Sequence, residues 1–298
     1  MMNLIVRSQM KTKTNKFSKK QLYEMQNFAI ELSQDAGKTL LQFQKKIHSL
    51  KVDNKQAQGV VSKADIATEK KIFDRIKKKY PSHHILGEEN FYQLHQTSAA
   101  YEQLKNQEAL WVVDPLDGTH NFLNGSDYYC ISIALVHLGV PLIGVIHRPV
   151  TGELFYAISS YGAFYVGPSH HHKKRKLFID KNFKNIQDTI WVTGFASEKG
   201  VPVHSEFKLF KKLVCTSRGV RRFGSAALDI CYVASGLWDG FFEKNLSPWD
   251  VAAAGLILKE AGGRVTNYSG ENFHPFQSSI VGARPPLYKK IIEIINQN

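Results

Sequence analysis

Cysteine is scarce in this chain of 298 residues, where Cys130, Cys215 and Cys231 are the three thiols. An odd number of widely spaced cysteines does not form a disulfide framework, so the sequence favours a reducing compartment in which the thiols pack as small apolar side chains. The sequence also contains no apolar run that is long and unbroken enough to span a bilayer. These absences predict a cytoplasmic protein that makes no membrane contact.

Acidic residues are outnumbered, because 39 Lys and Arg against 26 Asp and Glu give a net charge of +13. Residues 1–20 hold six Lys or Arg and no acid, and we interpret this segment as a solvated basic tail. A mitochondrial or plastid transit segment is the alternative, although it would favour Arg and Ser over Lys. The basic surplus is compatible with an anionic substrate, RNA or acidic proteins, and solubility explains it equally well.

Several common catalytic motifs are missing. The chain has no Walker loop, no His-Glu-x-x-His sequence and no EF-hand loop, and its Asp-x-x-Asp differs from the Asp-x-Asp of phosphatases that use an aspartyl nucleophile. Cys215 and Arg221 do have the C-x5-R spacing of thiolate phosphatases. However, a single glycine lies between them and no histidine precedes the cysteine, so a thiolate mechanism is not favoured.

The stretch Trp111–Phe122 runs from apolar residues into two carboxylates, a glycine and a threonine. This order predicts a buried strand that ends in a tight turn and opens a short helix. Asp114 and Asp117 can turn toward the same side, where carboxylates suit hard cations. Gly118 and Thr119 are expected to present free N–H groups, which suit phosphate oxygens. A strand-to-helix turn without a ligand is the alternative.

Three further acidic signals stand where a strand is expected to end or a helix to begin. Glu88 and Glu89 follow the short apolar run 84–87, and Asp65 separates a β-prone run from a helix. Asp250 starts a very apolar helix, where it also suits a helix N-cap. Each signal has a structural explanation of its own. Together with the turn that carries Asp114 and Asp117, however, the set of four favours one shared site.

The order of these motifs resembles the magnesium-dependent, lithium-sensitive inositol monophosphatase family. The resemblance covers the chain from about Leu22 onward, and the basic first twenty residues depart from it. The residues that carry it are Asp65, Gly87–Glu89, Asp114–Thr119, Arg222–Ala227, Glu243 and Trp249–Ala253. Further departures are Asn124–Asp127 and His170–Lys176, and none of the departures touches a metal position.

The resemblance implies two to three Mg²⁺ ions. Glu88, Asp114 and the carbonyl of Leu116 would hold the first ion. Asp114, Asp117 and Asp250 would hold the second, so that Asp114 bridges the two. A third, weaker ion would use Glu88 together with water.

The resemblance also implies catalytic and substrate-binding roles. Asp65 and Thr119 would orient the water that attacks the phosphate, and Glu88 joins them as a catalytic residue through its metal. The residues expected to contact the substrate are Asp117, Gly118, Thr119, Gly224, Ser225, Ala226, Glu243 and Asp250.

The predicted activity is hydrolysis of a phosphate monoester by metal-activated water. The pair Asn121–Phe122 favours myo-inositol monophosphate as the substrate, whereas fructose 1,6-bisphosphate, histidinol phosphate and a nucleotide 3′-phosphate remain alternatives with the same chemistry. A different class of function is a phosphatase-fold protein that binds RNA or a transcription complex, which the net charge permits. The family also implies a homodimer.

Apolar periodicity predicts an α+β protein. We divide the chain into a basic tail (1–20), an N-terminal α+β half that carries most metal ligands (21–168), and a C-terminal α/β half that contributes Asp250 and substrate contacts (169–298). The resemblance implies a layered α-β-α-β-α sandwich of the inositol monophosphatase and fructose-1,6-bisphosphatase type. Helices are predicted over 18–47, 66–80, 204–214, 225–235, 249–261 and 286–295, strands over 128–136, 141–147, 153–157, 163–166, 189–193, 238–243, 264–268 and 278–281, and a boundary loop over 168–176.

Overall fold

The structure is a computed structural model that describes most of the chain: residues 17–46, 52–55, 59–94, 99–168, 173–180, 182, 185–195 and 204–297, without the side chains of 52–55, 59–62 and 205. Most of the predicted basic tail and the histidines at 170–172 lie outside these ranges. Within them, no helix is both long and apolar enough to cross a membrane.

Two long helices form the first outer layer. α1 (Lys19–Gln44) begins where Ser18 Oγ accepts the Gln21 N–H at 3.2 Å and Gln21 Oε1 accepts the Ser18 N–H at 2.8 Å, a reciprocal cap that satisfies two backbone donors. α2 (Lys63–Lys79) packs beside it. A hairpin of β1 (Val52–Lys55) and β2 (Gly59–Ser62) lies between the two helices in sequence.

The second layer is a seven-stranded sheet. Its strands are β3 (His84–Gly87), β4 (Leu110–Asp117), β5 (Cys130–His137), β6 (Val140–Arg148), β7 (Glu153–Ile158), β8 (Gly162–Val166) and β9 (Lys174–Lys176). They lie side by side in chain order, with the first pair parallel and the others antiparallel. Three short helices attach to this layer: α3 (Glu88–Gln93), α4 (Ala99–Lys105) and α5 (Thr119–Leu123).

The last strand of this sheet corrects the predicted boundary loop. Lys174–Lys176 pair antiparallel with β8, although the sequence analysis placed a loop over 168–176. An all-basic strand shows no alternation of apolar and polar residues, so its pattern does not mark it as a strand. Its cations instead lie on aromatic rings, with Lys174 Nζ 4.5 Å from the Phe164 ring centroid and Arg175 Cζ 4.8 Å from that of Tyr165. The first sheet therefore extends past residue 168.

Two helices separate this sheet from a second one. α7 (Ala226–Ala234) and α8 (Pro248–Glu260) form the middle layer, and from Pro248 to Leu258 every residue of α8 except Asp250 is buried. A helix with a sheet on either side must be apolar all round, which explains its sequence. Backbones approach closely here, because a Cβ at Gly144 would lie 2.6 Å from the Ala253 carbonyl oxygen.

The second sheet and its outer helices complete the fold. Their bounds are β10 (Ile190–Thr193), β11 (Gly219–Arg221), β12 (Gly240–Lys244), β13 (Arg264–Thr266), β14 (Ser279–Ala283), α6 (His204–Thr216) and α9 (Pro285–Asn296). The strand order is β11–β10–β12–β14–β13. Leu209 of α6 and Leu287 of α9 share a core with Trp191 and Phe242 on the outer face of this sheet. The expected α-β-α-β-α sandwich is confirmed.

Candidate metal centre and adjoining cleft

Three carboxylates from two layers meet at the end of β4. One oxygen atom each of Asp114, Asp117 and Asp250 lies within 4.8 Å of the others. Residues three apart on a regular strand face opposite sides, but the pairing of β4 with β5 shifts its register between Asp114 and Asp117. This bulge turns both side chains toward one side. Asp250 reaches the same point from the first turn of α8.

Backbone donors orient two of these carboxylates. The Leu116 N–H donates to Asp114 Oδ1 at 2.9 Å, and the Ser247 N–H donates to Asp250 Oδ2 at 2.7 Å. Each bond holds one oxygen of its carboxylate. The predicted metal ligand Leu116 also accepts, through its carbonyl, the Thr119 hydroxyl at 3.0 Å.

The middle layer orients the third carboxylate. Asp117 Oδ2 accepts the Ser225 hydroxyl at 2.6 Å and the Ala227 N–H at 2.8 Å, both at the start of α7. The Cys130 thiol lies 3.7 Å from the same oxygen. Ser225, predicted as a substrate contact, is 1% exposed and commits its hydroxyl to Asp117.

The electrostatics of the cluster favour the binding of a cation. Burial raises the pKa of Asp114 well above its ordinary value, and the charges of Glu88, Asp117 and Asp250 raise it further. Burial first, and then Asp117 and Glu88, likewise raise the pKa of Asp250. The pKa of Asp117 rises to about 6 chiefly through burial. A divalent cation would replace this repulsion by attraction.

The donor atoms fit magnesium. Carboxylate oxygens are the hard ligands that Mg²⁺ prefers, and the three-carboxylate group itself contains no sulfur or imidazole. The site therefore suits a hard divalent cation rather than a softer metal.

Two other predicted residues flank the cluster. Glu88 is the first residue of α3, and its charge acts on all three aspartates, although it is not part of the three-carboxylate group. Asp65 is fully buried in the first turn of α2. Its predicted pairing with Thr119 and the metal-binding role of Glu88 stay predictions.

A cleft with a cavity of about 140 Å³ adjoins the carboxylates. Asp117 and Asp250 lie on one side of it, and Gly224, Ala226 and Glu243 line it as well. It thus brings two of the predicted metal ligands, Asp117 and Asp250, together with most of the predicted substrate contacts. Gly118 and Thr119 are not among its lining residues; Gly118 has a φ of +100°, which favours glycine at the turn into α5.

Glu243 is a buried carboxylate on the far wall. It ends the apolar part of β12, is 7% exposed, and accepts no hydrogen bond from the described part of the chain. Burial and the charges of Asp250, Asp229 and Asp117 raise its pKa, whereas Arg222 lowers it. A buried carboxylate that faces a cleft is suited to the hydroxyl groups of a ligand.

Several residues of this wall were not predicted as site residues, and Gly194, Arg222 and Asp229 are among them. A Cβ on Gly194 would collide with the Glu243 carboxylate, so glycine makes room for that side chain. Arg222 lies at the rim, and Asp229 of α7 accepts the Tyr128 hydroxyl at 2.6 Å. A lone acid inside the otherwise apolar α7 is the sequence signal that could have identified Asp229.

The pair that favoured inositol phosphate is structural. Asn121 Nδ2 donates to the carbonyl oxygens of Tyr128 and Phe223, both at 2.8 Å, and Phe122 is fully buried against Tyr129. Neither residue lines the cleft. The pair connects α5 to the segment before α7 and does not itself indicate a particular leaving group.

Comparison with known proteins agrees with this geometry. The model of the inositol monophosphatase family matches residues 21–298. A Nus factor SuhB from Xylella fastidiosa is 37% identical over 244 residues, which cover 82% of this chain and 82% of that protein.

Solved structures share the fold. The extragenic suppressor protein suhB from Bartonella henselae superposes with a TM-score of 0.79 at 31% identity, covering 92% of this chain and 99% of that one. SaIMPase-II with bound inositol monophosphate superposes with a TM-score of 0.71 at 29% identity, covering 90% and 92%.

Proposed function

Because the chain belongs to the inositol monophosphatase family, we propose that it hydrolyses a phosphate monoester with Mg²⁺, and that myo-inositol monophosphate is its favoured substrate. The observation that carries the proposal is the cluster of Asp114, Asp117 and Asp250 beside a cleft whose far wall presents Glu243. The related SaIMPase-II, solved with inositol monophosphate bound, supports the choice of substrate.

Each part of the site has a separate task. Glu88, Asp114 and the Leu116 carbonyl would hold one Mg²⁺, and Asp114, Asp117 and Asp250 a second, with Glu88 and water available for a third. When bound, Mg²⁺ supplies positive charge that stabilises the phosphoryl oxygens and activates water. Lithium would inhibit by replacing Mg²⁺ with a smaller charge.

The side chains around the metal ligands position the reactants. Asp65 and Thr119 would orient the attacking water, because proton acceptors beside a nucleophile lower its barrier. Glu243 would accept hydrogen bonds from two neighbouring hydroxyl groups of the leaving polyol. Gly224 and Ala226 would leave room for that ring because they carry little or no side chain.

A substrate panel tests the proposal. We expect Mg²⁺-dependent release of phosphate from inositol monophosphate to exceed release from fructose 1,6-bisphosphate, histidinol phosphate and a nucleotide 3′-phosphate. Activity that persists undiminished in EDTA would contradict the metal mechanism. Preference for another member of the panel would keep the mechanism and replace the substrate.

A second candidate function is binding to RNA within a transcription complex. Several relatives carry the name Nus factor SuhB, and the outer helical layer is strongly basic. Residues 17–46 and 63–79 hold twelve Lys and Arg, whereas four acids remain at their surface because Asp65 and Glu69 are buried. Such a face suits a phosphate backbone.

Charge reversal tests this second candidate. Replacing both Lys77 and Lys78 by Glu should weaken RNA binding and flatten its dependence on salt, whereas Lys289→Glu on the opposite outer layer should not. Binding that is unchanged by the double substitution would contradict the assignment of this face. RNA binding by Asp114→Asn would separate this role from catalysis.

Family membership also motivates two simpler proposals. A homodimer would give twice the monomer mass in sedimentation. We also propose a cytoplasmic location, so fractionation of cells that produce the protein should recover it in the cytoplasmic fraction.

A further inference from the structure

Glu69 is a buried carboxylate to which neither the sequence motifs nor the proposed mechanism gives a task. It lies one helical turn after Asp65 on α2 and is 5% exposed. Glu69 Oε2 accepts the Glu89 N–H at 2.9 Å, and Glu69 Oε1 accepts the Asn90 N–H at 2.7 Å. Both oxygens therefore bind backbone donors twenty residues further along the chain.

These two donors belong to the first turn of α3. The first N–H groups of a helix have no partner within the helix, and a side chain usually caps them. Gly87 occupies the cap position and makes no side-chain bond. Glu69 therefore caps α3 from another helix through these two hydrogen bonds.

Gly87 and Glu69 fit one another sterically. A Cβ on Gly87 would collide with Glu69 Oε2 and would lie 2.6 Å from the Phe73 ring. Glycine thus allows the β3–α3 turn to pack directly against the Glu69 carboxylate. The first residue after this turn is Glu88, whose charge acts on Asp114, Asp117 and Asp250.

We propose that Glu69 is a positioning residue that fixes the first turn of α3 and thereby places Glu88 for the first metal ion. The proposal rests on the proposed function, because it needs Glu88 to bind that ion. Asp114 and Asp117 are oriented by Leu116, Ser225 and Ala227 instead. Ser247, whose N–H orients Asp250, contacts α3 at Tyr92 in its last turn rather than in the turn that Glu69 fixes. Loss of Glu69 should therefore lower the affinity for the first metal ion and leave the affinity for the second unchanged.

The test is a titration of the full-length protein with Mn²⁺ in the absence of substrate. Electron paramagnetic resonance measures how much Mn²⁺ is bound at each concentration. Glu69→Gln keeps the shape of the side chain but points its NH₂ group at a backbone donor, so one of the two bonds is lost. We expect the affinity for one ion to fall roughly tenfold or more, as for other groups that orient metal ligands. The second ion should bind as in the wild type.

Four companion measurements complete the design. Glu88→Gln should reproduce the selective loss, whereas Asp74→Asn, which removes an exposed acid from the same helix, should bind both ions normally. Hydrogen exchange of the Glu89 and Asn90 amides should quicken in Glu69→Gln, which reports the freed turn directly. The Mg²⁺ concentration for half-maximal phosphatase activity should rise, with kcat recovering at saturating Mg²⁺.

The outcomes distinguish this proposal from the function on which it rests. Normal binding of both ions by Glu69→Gln would overturn the positioning role and leave Glu69 as a structural cap. Equal weakening of both ions would overturn it as well. A wild-type protein that binds no Mn²⁺ would overturn the proposed function itself and this proposal with it. If Glu69→Ala is also made and does not fold, the isosteric Gln variant still decides.

Discussion

The two walls of the cleft differ in how their carboxylates are held. The wall with the proposed metal ligands is the metal side, where Asp114, Asp117 and Asp250 each have one oxygen fixed by a donor of the protein. On the opposite side, Glu243 is equally enclosed but accepts no hydrogen bond from the described residues. Donors of the described residues hold the carboxylates of one wall, and the other wall offers an acceptor to a ligand.

Under the proposed function, this difference follows from what each wall would recognise. A divalent ion needs several oxygens at fixed positions, so backbone and hydroxyl donors from separate elements hold the carboxylates against their mutual repulsion. A leaving group with several hydroxyls brings its own donors, and a carboxylate with unused acceptor sites can bind more than one of them. We therefore expect substitutions on the metal side to affect turnover and those on the other wall to affect substrate choice.

The largest effect is expected from Asp114→Asn, which removes the charge that would bridge two ions. The rate at saturating Mg²⁺ should fall by at least about 10²-fold, the scale on which single electrostatic groups act in enzymes. Without metal, the same variant should unfold at a higher temperature, since one of several buried like charges is gone. Kinetics and thermal unfolding with and without Mg²⁺ check both statements. An Asp114→Asn variant with unimpaired turnover would remove the metal side from the comparison.

Glu243→Ala tests the opposite wall. Losing an acceptor for polyol hydroxyls costs about 1–3 kcal/mol, so KM for inositol monophosphate should rise roughly 5- to 150-fold. Hydrolysis of p-nitrophenyl phosphate, which has no hydroxyls to offer, should change little and serves as the internal control. Equal losses on both substrates would show that Glu243 supports the metal site or the fold, and the two walls would then not differ in task.

The metal side was the more predictable wall because its residues sit in continuous motifs. Asp114 and Asp117 follow an apolar run and precede glycine, and Asp250 opens an apolar helix, so sequence order alone suggested a shared site. The bulge that turns Asp114 and Asp117 to one side is a property of the pairing with β5 and is invisible in the sequence. The same holds for Ser225, whose bond to Asp117 joins residues 108 apart.

The opposite wall and several local elements were beyond sequence reasoning for related reasons. Gly194 matters because of a side chain on a neighbouring strand, and Asp229 because of Tyr128. α3 was missed because its cap comes from Glu69 on another helix rather than from a residue at its own start. Elements with a clear apolar period or a motif at their boundary were found, including the short helix α5, whereas α3, α4, β9 and β11 were not.

An intermediate effect is expected from Ser225→Ala, which leaves the metal carboxylates intact but removes a donor that orients one of them. The Ala227 N–H still holds Asp117, so affinity for one ion should fall only about tenfold. A Mn²⁺ titration measures it, with Ser235→Ala at the other end of α7 as a matched control. If Ser225 instead contacts the substrate, as the family resemblance implies, KM for inositol monophosphate would rise while metal affinity stayed constant.

The smallest effect is expected from Cys215→Ser, which asks whether the chemistry lies on the metal side at all. A thiolate phosphatase needs free backbone N–H groups between its cysteine and arginine to hold the phosphate. Here the Ser217 N–H donates to Leu213 at 2.8 Å and the Arg218 N–H to Thr189 at 2.9 Å, while Gly219–Arg221 form a strand paired with β10. With those donors used by the fold, the segment cannot close around a phosphate, and turnover should stay within about twofold of the wild type. A large loss of turnover in a variant whose thermal unfolding is unchanged would contradict this and place a catalytic group outside the carboxylate cluster.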